Sequence, residues 1–555
     1  MNYCGIDYFV SNKQQLSELA NQESKRTFSL LDESCKIYPI HDRHQTIINE
    51  PQVELIDRIR STILQLKSQS LSHQYQILST HKTLYSRFGV IKDILGKGSY
   101  GIIKIIDPNP NNVSLSNNVQ HKLYAVKQFQ HKKSPKESFD QYVNKILSEF
   151  IISCSLNCKH LVKSVDLMLT VPELSHRRQQ SSDSLTSLPL SPSASPSRSS
   201  SLSRSLSPDS ALLRGPSPMT TNDGINLITE QYYFSQVMEC NRGGDLFAYL
   251  ANTEEYPHST MSLSEIDCFI KQIAKGLHYM HSHGAAHCDL KLENILINYK
   301  RTKSSDGPNK AKLILKISDF GRSYVFKTKW EKSEELVSKS KGPIGSLPYI
   351  SPEEYDMSKS KEMALSKKDC WAFGILCLIL FNIRKSYYDG DGFFPHINDD
   401  ESNYKSNIDN NPRNSDDDTS DSNDDDSTDL IGNSPRTVFL WETTELKHHH
   451  RYSRKGQIYK DKNFEDYVNH RMIASYSDQT KEWIIQSEGT HKAIENLFTP
   501  SQSLHNDIDD NDLNQIRKMI IYKLLDIDPD TRMNMSHFLK SDWMDSVDNC
   551  IEYSE

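Results

Sequence analysis

Segment 287–297 carries three polar residues whose types and spacing suit phosphoryl transfer. Asp289 is a carboxylate that could accept a proton from an attacking hydroxyl, and Lys291 could neutralise charge on the transferred group. Asn294 offers an amide oxygen, which suits a hard cation such as Mg²⁺. A second carboxylate, Asp319, follows at the end of a predicted strand, and a hairpin could bring it back toward Asn294. These residues predict a magnesium-dependent site for phosphate chemistry.

A glycine-rich segment near residue 100 predicts a second contact with phosphate. Alternating apolar residues flank Gly96, Gly98 and Gly101 on both sides, which predicts a strand, a tight turn and a returning strand. Because these glycines lack side chains, the backbone could approach phosphate oxygens closely. A Rossmann fold would need a helix after the glycines. The β-branched run 102–106 follows instead and favours a hairpin.

A lysine and a glutamate farther along the chain are predicted to form an ion pair. Lys127 lies in the middle of a strand predicted after the hairpin, where its ammonium could reach nucleotide phosphates. Glu149 lies among apolar residues in a helical stretch, and a buried carboxylate requires a cationic partner. Lys127 is the candidate for that partner.

Further motifs indicate the elements that must hold these residues in place. The apolar run 371–381 predicts a buried helix, since spanning a bilayer takes about 20 residues. Ser351-Pro352-Glu353 precedes this run, and Asp528-Pro529-Asp530-Thr531-Arg532 lies well after it. In order and spacing, the motifs resemble those of eukaryotic protein kinases. The resemblance implies an α+β, bilobal protein kinase fold with a small β-rich N-lobe, a larger helical C-lobe and long low-complexity insertions. It also implies an ion pair between Arg532 and Glu353.

The resemblance implies a role for each motif residue of this chain. Asp289 would be the catalytic base, Lys127 would hold ATP phosphates while paired to Glu149, and Lys291 would complete the catalytic set. The implied cofactors are ATP and Mg²⁺. The implied metal ligands are Asn294 and Asp319. The implied nucleotide-binding residues are Leu95, Gly96, Gly98, Gly101, Ile103, Ala125, Lys127, Met238, Glu239, Cys240, Asp245 and Leu296.

Two positions bear on the substrate class and on regulation. A lysine two residues after the implied base, here Lys291, resembles the pattern of serine/threonine kinases. Segment 345–349 resembles the substrate-facing loop of the same class, with Ser346 in the place of the usual threonine. The implied partners are therefore protein substrates with Ser/Thr acceptors, and tyrosine phosphorylation is the minor alternative. Cys288 replaces the arginine that usually precedes the catalytic aspartate, which puts switching by loop phosphorylation in doubt.

Several segments resemble one group within the kinases, the fungal nitrogen-permease-reactivator and halotolerance kinases. These segments are 84–89, 148–152, 342–354 and 461–467. That group regulates membrane transporters and ion homeostasis, so such substrates are implied by resemblance only. The alternative function is a pseudokinase or scaffold that binds partners without phosphoryl transfer. The presence of every charged and amide residue of the implied site favours activity.

Composition predicts that part of the 555-residue chain does not fold into a core. Only 36% of the residues are hydrophobic, and the net charge of −8 argues against nucleic-acid binding. The Ser-rich segment 172–228 and the acidic segment 390–437 explain much of this low hydrophobic content. Both are expected to be insertions in the kinase domain. Serines within 175–218 that precede proline or follow arginine are candidate targets of proline-directed or basic-directed upstream kinases. The scattered cysteines indicate reduced thiols.

These features predict the organisation of the chain. Residues 1–86 are expected to be mostly disordered, with one possible helix from about 52 to 67. The kinase domain is expected over 87–545, with the N-lobe over 87–239, the C-lobe over 240–545 and a tail over 546–555. No signal peptide and no transmembrane segment are predicted. The sequence therefore predicts a cytoplasmic protein, expected to be a monomer.

Overall fold

The computed structural model describes most of the expected kinase domain and part of the segment before it. The described residues are 13–31, 37, 39–40, 45–98, 101–110, 122–129, 137–173, 233–251, 262–302, 310–339, 344–346, 349–354, 360–388, 474–477, 482–485, 492–498 and 511–547. The acidic segment 390–437 and residues 174–228 of the Ser-rich segment lie outside these ranges, so their predicted character stays a prediction.

A six-stranded antiparallel sheet forms the first layer of the fold. Its strands are β1 (Thr27–Ser29), β2 (Val90–Gly98), β3 (Gly101–Asp107), β4 (Tyr124–Phe129), β5 (Ser164–Thr170) and β6 (Tyr233–Glu239). Their order across the sheet is β1-β5-β6-β4-β3-β2. The hairpin predicted around the glycines is confirmed, because β2 pairs with β3 and Gly98 lies opposite Gly101.

The region before residue 87 is ordered where the structure describes it. It forms α1 (Lys13–Ser24), strand β1, α2 (Glu50–Lys67), α3 (Leu71–Leu78) and α4 (Leu84–Phe88). The predicted helix near 52–67 is confirmed as α2, but the expectation of a mostly disordered region is wrong for these residues. Leu30, Ile47 and Leu55 are buried in the main hydrophobic core. Burial of apolar side chains scattered through a polar segment offsets the entropy of ordering it.

Helix α5 (Phe139–Ser155) packs against the sheet and carries Glu149. Its first turn is fixed by a capping box, in which the Ser138 hydroxyl accepts from the Gln141 backbone N–H and the Gln141 side chain accepts from the Ser138 N–H. Val143, Ile146 and Phe150 are buried at helical spacing along one face. That face holds the helix on the sheet and sets the position of Glu149.

The second layer is mainly helical and surrounds the buried middle of one long helix. Its helices are α6 (Leu246–Ala251), α7 (Leu263–Ser282), α8 (Leu365–Tyr388), α9 (Lys492–Glu495), α10 (Asn511–Leu524), α11 (Met535–Leu539) and α12 (Asp542–Ser546). Every residue from Trp371 to Phe381 in α8 is buried, and Gly374 in this run packs closely against Leu525. The predicted buried helix is therefore confirmed. Within the described ranges, no helix is both long and apolar enough to cross a membrane.

Short strands between α7 and α8 bring the polar motifs together. They are β7 (Ala285–Ala286), β8 (Ile295–Thr302), β9 (Lys310–Ile317), β10 (Tyr324–Val325), β11 (Val337–Ser338) and β12 (Glu362–Met363). A further hairpin joins β13 (Ala474–Ser477) and β14 (Glu482–Ile485). β8 and β9 pair from Ile295 opposite Ile317, so Asn294 and Ser318 face each other at the open end of their hairpin. The predicted closure between Asn294 and Asp319 is confirmed by this register.

The cysteines depart from the sequence expectation at one position. Six cysteines of the described residues are free: Cys154, Cys158, Cys240, Cys288, Cys370 and Cys377. Cys268 in α7 is bonded in a disulfide, so the expectation of reduced thiols is wrong at that residue. Burial raises the pKa of the Cys154 thiol to about 12, which keeps that thiol protonated at neutral pH.

Candidate active site

One lysine joins two carboxylates at the boundary between the sheet and the helical layer. The Lys127 ammonium lies 2.7 Å from Glu149 Oε1 and 2.8 Å from Asp319 Oδ1. Burial lowers the pKa of Lys127, but the two carboxylates outweigh it, so the net pKa lies above the ordinary value. Burial raises the pKa of Asp319, and Lys127 more than reverses that effect. The predicted Lys127–Glu149 pair is confirmed, and it is joined to Asp319 as well.

The backbone around Asp319 is shaped to fit against Glu149. Asp319 itself has a left-handed backbone conformation with φ of 61°, which is uncommon for a residue other than glycine. At Gly321, a Cβ atom would lie 3.0 Å from Glu149 Oε2 and 3.3 Å from Asp319 Oδ1. A side chain at residue 321 would therefore push into both carboxylates. The turn positions Asp319 and leaves room for Glu149.

Asp289 projects from a turn that one buried aspartate holds in place. Asp369 accepts hydrogen bonds from the backbone N–H groups of His287 at 2.7 Å and Cys288 at 2.8 Å. His281 Nε2 lies 2.9 Å from the same carboxylate. Cys288 has φ of 63°, and the paired hydrogen bonds to Asp369 stabilise this strained conformation. Asp369 lies just before the apolar run 371–381 that predicted a buried helix, and its link to the Asp289 turn was not predicted.

Cys288, in the position where related motifs carry arginine, is sealed in an apolar cluster. Its neighbours there are Ala286, Phe326, Met363 and Leu365. Burial raises the pKa of the Cys288 thiol well above its ordinary value. The thiol is therefore neutral and inaccessible.

The Asp289 carboxylate accepts a hydrogen bond from a serine hydroxyl in this structure. Ser346 Oγ donates to Asp289 Oδ1 at 2.7 Å, and Lys291 Nζ donates to Ser346 Oγ at 3.0 Å. Lys291 Nζ lies 3.8 Å from Asp289 Oδ2, and Arg322 Nε lies at the same distance from that oxygen. The carboxylate therefore lies between two cations with a serine hydroxyl on its open oxygen. Sequence reasoning placed Lys291 and Ser346 here but did not identify Arg322.

Asn294 and Asp319 form a donor set that fits Mg²⁺. The Asn294 side-chain amide donates to the backbone carbonyl of Asp289 at 2.8 Å, which leaves its amide oxygen as the group able to bind a cation. Ser318 N and Ser318 Oγ both donate to the Asn294 carbonyl, at 2.8 and 3.0 Å. These bonds tie the residue before Asp319 to Asn294. One carboxylate and one amide oxygen match the oxygen ligands and low ligand number that Mg²⁺ takes beside a nucleotide.

The side chains predicted to contact the nucleotide base come from three neighbouring elements. Ala125 on β4 lies opposite Met238 on β6 in the sheet register, and both are half-buried. Leu296 is also half-buried and forms a backbone bridge with Asp245. Ile103 on β3 lies opposite Lys127 on β4. The side chain of Leu95 on β2 is 61% exposed. The structure thus places these residues around the Lys127 end of the sheet.

Gly101 has a structural role that the sequence did not reveal. Its φ is +147°, and a Cβ atom there would lie 2.0 Å from the carbonyl oxygen of Gln128 on β4. The close approach of β4 therefore requires glycine at this position, independently of any phosphate. Gly96 lies opposite Ile103 and Gly98 opposite Gly101, so all three glycines are in the predicted hairpin.

The segment after β6 is fixed by polar contacts that sequence patterns could not show. Glu239 Oε1 accepts from the Lys316 ammonium and from the Lys163 backbone N–H, both at 2.9 Å. Cys240 follows and is half-buried. Asp245 Oδ1 accepts from the Ala248 backbone N–H at 2.8 Å, which is the contact of a helix N-cap. Asp245 therefore starts α6, whether or not it also contacts a ligand.

A buried ion pair of Lys368 and Glu354 holds the segment that carries Ser346. Lys368 Nζ donates to Glu354 Oε1 at 2.7 Å and to the Ile344 carbonyl at 2.6 Å, while Ile344 N donates to Glu354 Oε2 at 2.7 Å. Both charged side chains are almost completely buried. At Gly345, a Cβ atom would lie 2.8 Å from the Cys288 carbonyl. The pair thereby holds residues 344–346 against the Asp289 turn, and no sequence motif indicated it.

Replacing Lys368 with methionine should weaken this attachment. The change leaves Glu354 buried without a cation, which costs about 3–5 kcal/mol of folding free energy. Loss of the bond to the Ile344 carbonyl should also loosen Ser346, so catalytic efficiency on a protein acceptor should fall while ATP affinity is retained. Denaturant unfolding and acceptor titrations would measure these effects. Lys361→Met is the control, because residue 361 is exposed; equal losses in both variants would contradict the assignment.

Comparison with known proteins identifies the family. The protein kinase domain model matches residues 223–544. The chain belongs to the protein kinase family. Its resemblance to the fungal halotolerance kinases is confirmed by its curated relatives, and the bilobal fold class is confirmed by the family match together with the sheet and the helical layer.

Three relatives show how far the similarity extends. Serine/threonine-protein kinase HAL4/SAT4 of Saccharomyces cerevisiae is 30% identical over 314 residues, 56% of this chain and 38% of that protein. Serine/threonine-protein kinase HAL5 of Candida glabrata is 30% identical over 54% of this chain and 32% of that protein. A probable HAL5-like serine/threonine-protein kinase of Vanderwaltozyma polyspora is 26% identical over 90% of this chain and 46% of that protein. The chain spans less than half the length of each of these relatives.

Proposed function

We propose that the chain is an ATP-dependent protein kinase that transfers the γ-phosphoryl group to serine and threonine hydroxyls of proteins. The observation that carries the proposal is the assembled site: Lys127 holds Glu149 and Asp319 together, and Asp289 accepts a hydrogen bond from a serine hydroxyl. Its curated relatives are named serine/threonine-protein kinases. Membership of the kinase family and this geometry support the same activity.

The proposed mechanism assigns each contact of the site to one task. A substrate hydroxyl would take the position on Asp289 Oδ1 that Ser346 Oγ now occupies, and Asp289 would accept its proton as the hydroxyl attacks. Lys291 lies within hydrogen-bond distance of the Ser346 hydroxyl. From that position it would neutralise developing charge on the transferred group. Lys127 would orient the nucleotide phosphates while Glu149 fixes its ammonium.

The metal and nucleotide assignments belong to the same proposal. Mg²⁺, held by Asn294 and Asp319, would neutralise phosphate oxygens when bound. The nucleotide base would lie between Ala125 and Leu296, beside Met238. Glu239 and Cys240 would offer backbone groups to the base, with Leu95, Gly96, Gly98, Gly101, Ile103 and Asp245 completing the nucleotide contacts. The half-buried apolar faces of the base-contacting residues support this arrangement, because a base needs open apolar surface on both sides.

The biological setting is proposed from resemblance. Similarity to the halotolerance kinases supports protein substrates among membrane transporters or regulators of ion homeostasis in a fungus. The kinase domain boundaries 87–545, the cytoplasmic location, the monomeric state and phosphorylation of the 175–218 segment stay predictions.

Two matched peptides that differ only in the acceptor test the proposed specificity. The purified chain with ATP and Mg²⁺ should phosphorylate a basic peptide that carries serine or threonine, and should leave the tyrosine version at background. The expected preference follows from the Ser346 hydroxyl, whose contacts with Asp289 and Lys291 show that a serine-sized side chain reaches the carboxylate. Label transfer from ATP would be measured at equal peptide concentrations. Tyrosine as the better acceptor would contradict the substrate class, and no transfer to either peptide would contradict the activity.

A further inference from the structure

The segment before the kinase sheet runs along the helix that carries Glu149. We call residues 45–67 the brace; they comprise a short lead-in and helix α2. Just before the brace, Ile40 N donates to the carbonyl of Ser155, the last residue of α5, and Tyr279 OH on α7 donates to the Ile40 carbonyl. The chain therefore connects the end of α5 to the helical layer before α2 begins.

Helix α2 packs against the first half of α5. Arg60 Nη2 donates to Asn144 Oδ1 at 2.8 Å, and the Lys67 ammonium lies 4.6 Å from the centre of the Phe139 ring. As residue numbers rise along α2 they fall along α5 at these contacts, so the two helices run in opposite directions. Between the two contacts lies Ile63, which is buried. The two helices thus share an interface over about two turns.

The apolar face of the brace supplies most of its attachment. Its buried side chains are Leu55, Ile59, Ile63 and Leu66, spaced as on one face of a helix, and they belong to the same hydrophobic core as the α5 residues Val143, Ile146 and Leu147. The polar side-chain contacts of the brace, from Arg60 to Asn144 and from Lys329 to Glu50, are exposed, and exposed polar pairs contribute little compared with buried apolar area. The polar pairs therefore set the register of a contact that burial stabilises.

The lead-in of the brace contacts the segment that follows Asp319. Lys329 N donates to the Ile48 carbonyl at 3.2 Å, and Lys329 Nζ donates to Glu50 Oε1 at 2.6 Å. Ile47 N donates to the His283 carbonyl at the end of α7 at 2.9 Å. One stretch of about 20 residues thus touches the Glu149 helix, the helical layer and the segment after Asp319.

We propose that the brace is a built-in positioning element that holds α5 where Glu149 pairs with Lys127. Its contact at Lys329 couples that helix position to the segment that leads from Asp319 to Ser346. The expected effect on activity rests on the proposed kinase function. The claim that the brace holds α5 in position does not depend on that function. A chain with this brace would not need a separate protein on that face to keep the Lys127–Glu149 pair formed.

Two neighbouring residues of α2 allow a matched test in the full chain. Ile63 is 5% exposed and Leu64 is 57% exposed on the same helix turn. Ile63→Asp places a charge in the brace interface, and Leu64→Asp places the same charge in solvent. Hydrogen exchange would be followed separately in α5, α7 and α8, together with kcat and KM for ATP and a basic peptide. Ile63→Ala is the milder companion variant, measured in the same way in case the aspartate variant does not fold.

The proposal predicts a local effect. Ile63→Asp should raise exchange in α5 by roughly tenfold or more while α7 and α8 keep their protection, and kcat should fall by a similar factor with folding retained. Ile63→Ala should give a smaller rise confined to α5, and Leu64→Asp should stay within about twofold of the unaltered chain. Unchanged exchange in α5, or an equal rise in all three helices, would overturn the proposal. If the unaltered chain lacks kinase activity, the proposed function is wrong. The hydrogen-exchange pattern would still test whether the brace holds α5 in position.

Discussion

Asp289→Asn should lower kcat for protein phosphorylation by about 10²–10⁴-fold, the range that one general base contributes. Asparagine keeps the shape of the side chain, and its amide can still meet Ser346, but it cannot accept the proton of an attacking hydroxyl. The Asp289 side chain is almost completely buried between Lys291 and Arg322. Among the described residues, Asp289 supplies the carboxylate that accepts from the Ser346 hydroxyl. Initial rates at saturating ATP and peptide would measure the loss.

The controls for Asp289→Asn separate chemistry from binding and folding. The ion pairs of Lys127 with Glu149 and Asp319 do not involve the Asp289 side chain, so ATP affinity in the presence of Mg²⁺ should be retained. The Asp289 backbone carbonyl still accepts from Asn294, and thermal unfolding should therefore change little. A variant with normal turnover would show that Asp289 is not the base. A variant that loses ATP binding in parallel with turnover would contradict its assignment to the transfer step alone.

Arg532→Met should cause a large loss of stability through a contact away from the site. Arg532 is fully buried and donates to both oxygens of Glu353 at 2.7 Å, as the resemblance to protein kinases implied. It also donates to the backbone carbonyls of Asp526 and Lys367. Removing the guanidinium leaves a buried carboxylate unpaired, which costs about 3–5 kcal/mol. Denaturant unfolding would measure this cost, and Arg532→Met together with Glu353→Met should recover part of it.

The same pair predicts how stability depends on pH. Burial raises the pKa of Glu353, but Arg532 outweighs burial, so the folded-state pKa lies below the ordinary value of 4.5. The stabilisation from this group is therefore fully present above about pH 4.5 and is lost as pH falls through the lower folded-state pKa. In Arg532→Met the carboxylate loses its cation, and this acid-side loss should shrink. A steeper acid-side loss in the variant than in the unaltered chain would contradict the predicted role of the pair.

Motif residues were predictable because their chemistry requires particular side chains at particular spacings. Lys127 and Glu149 could be paired in advance since both needed a partner in the same small region. The closeness of Asp319 to Asn294 could be predicted because strands β8 and β9, which lie between them in the sequence, can form a hairpin. Buried helix α8 was visible as an uninterrupted apolar run. In each case the information lies within a short stretch of sequence.

Contacts between distant segments left no comparable signal. Leu30 and Ile47 belong to short apolar pairs in a polar segment, yet both are buried, and their backbone N–H groups donate to Leu167 and His283 far along the chain. Lys368 and Glu354 read as ordinary charged residues, because only the fold shows that both are buried and bonded to Ile344. The role of Gly101 depends on the neighbouring strand β4 rather than on its own hairpin. Burial created by tertiary packing decides these cases, and it is not encoded in local spacing.

The measurement that tests the central claim most directly is the stoichiometry of ADP and phosphorylated hydroxyls formed by the purified chain. With ATP, Mg²⁺ and a basic protein acceptor, an active kinase should release one ADP for each phosphoserine or phosphothreonine formed. Asp289→Asn, assayed beside it, should bind ATP and form almost neither product. ATP binding by the unaltered chain with no ADP and no phosphorylated serine or threonine would contradict the account and identify a pseudokinase.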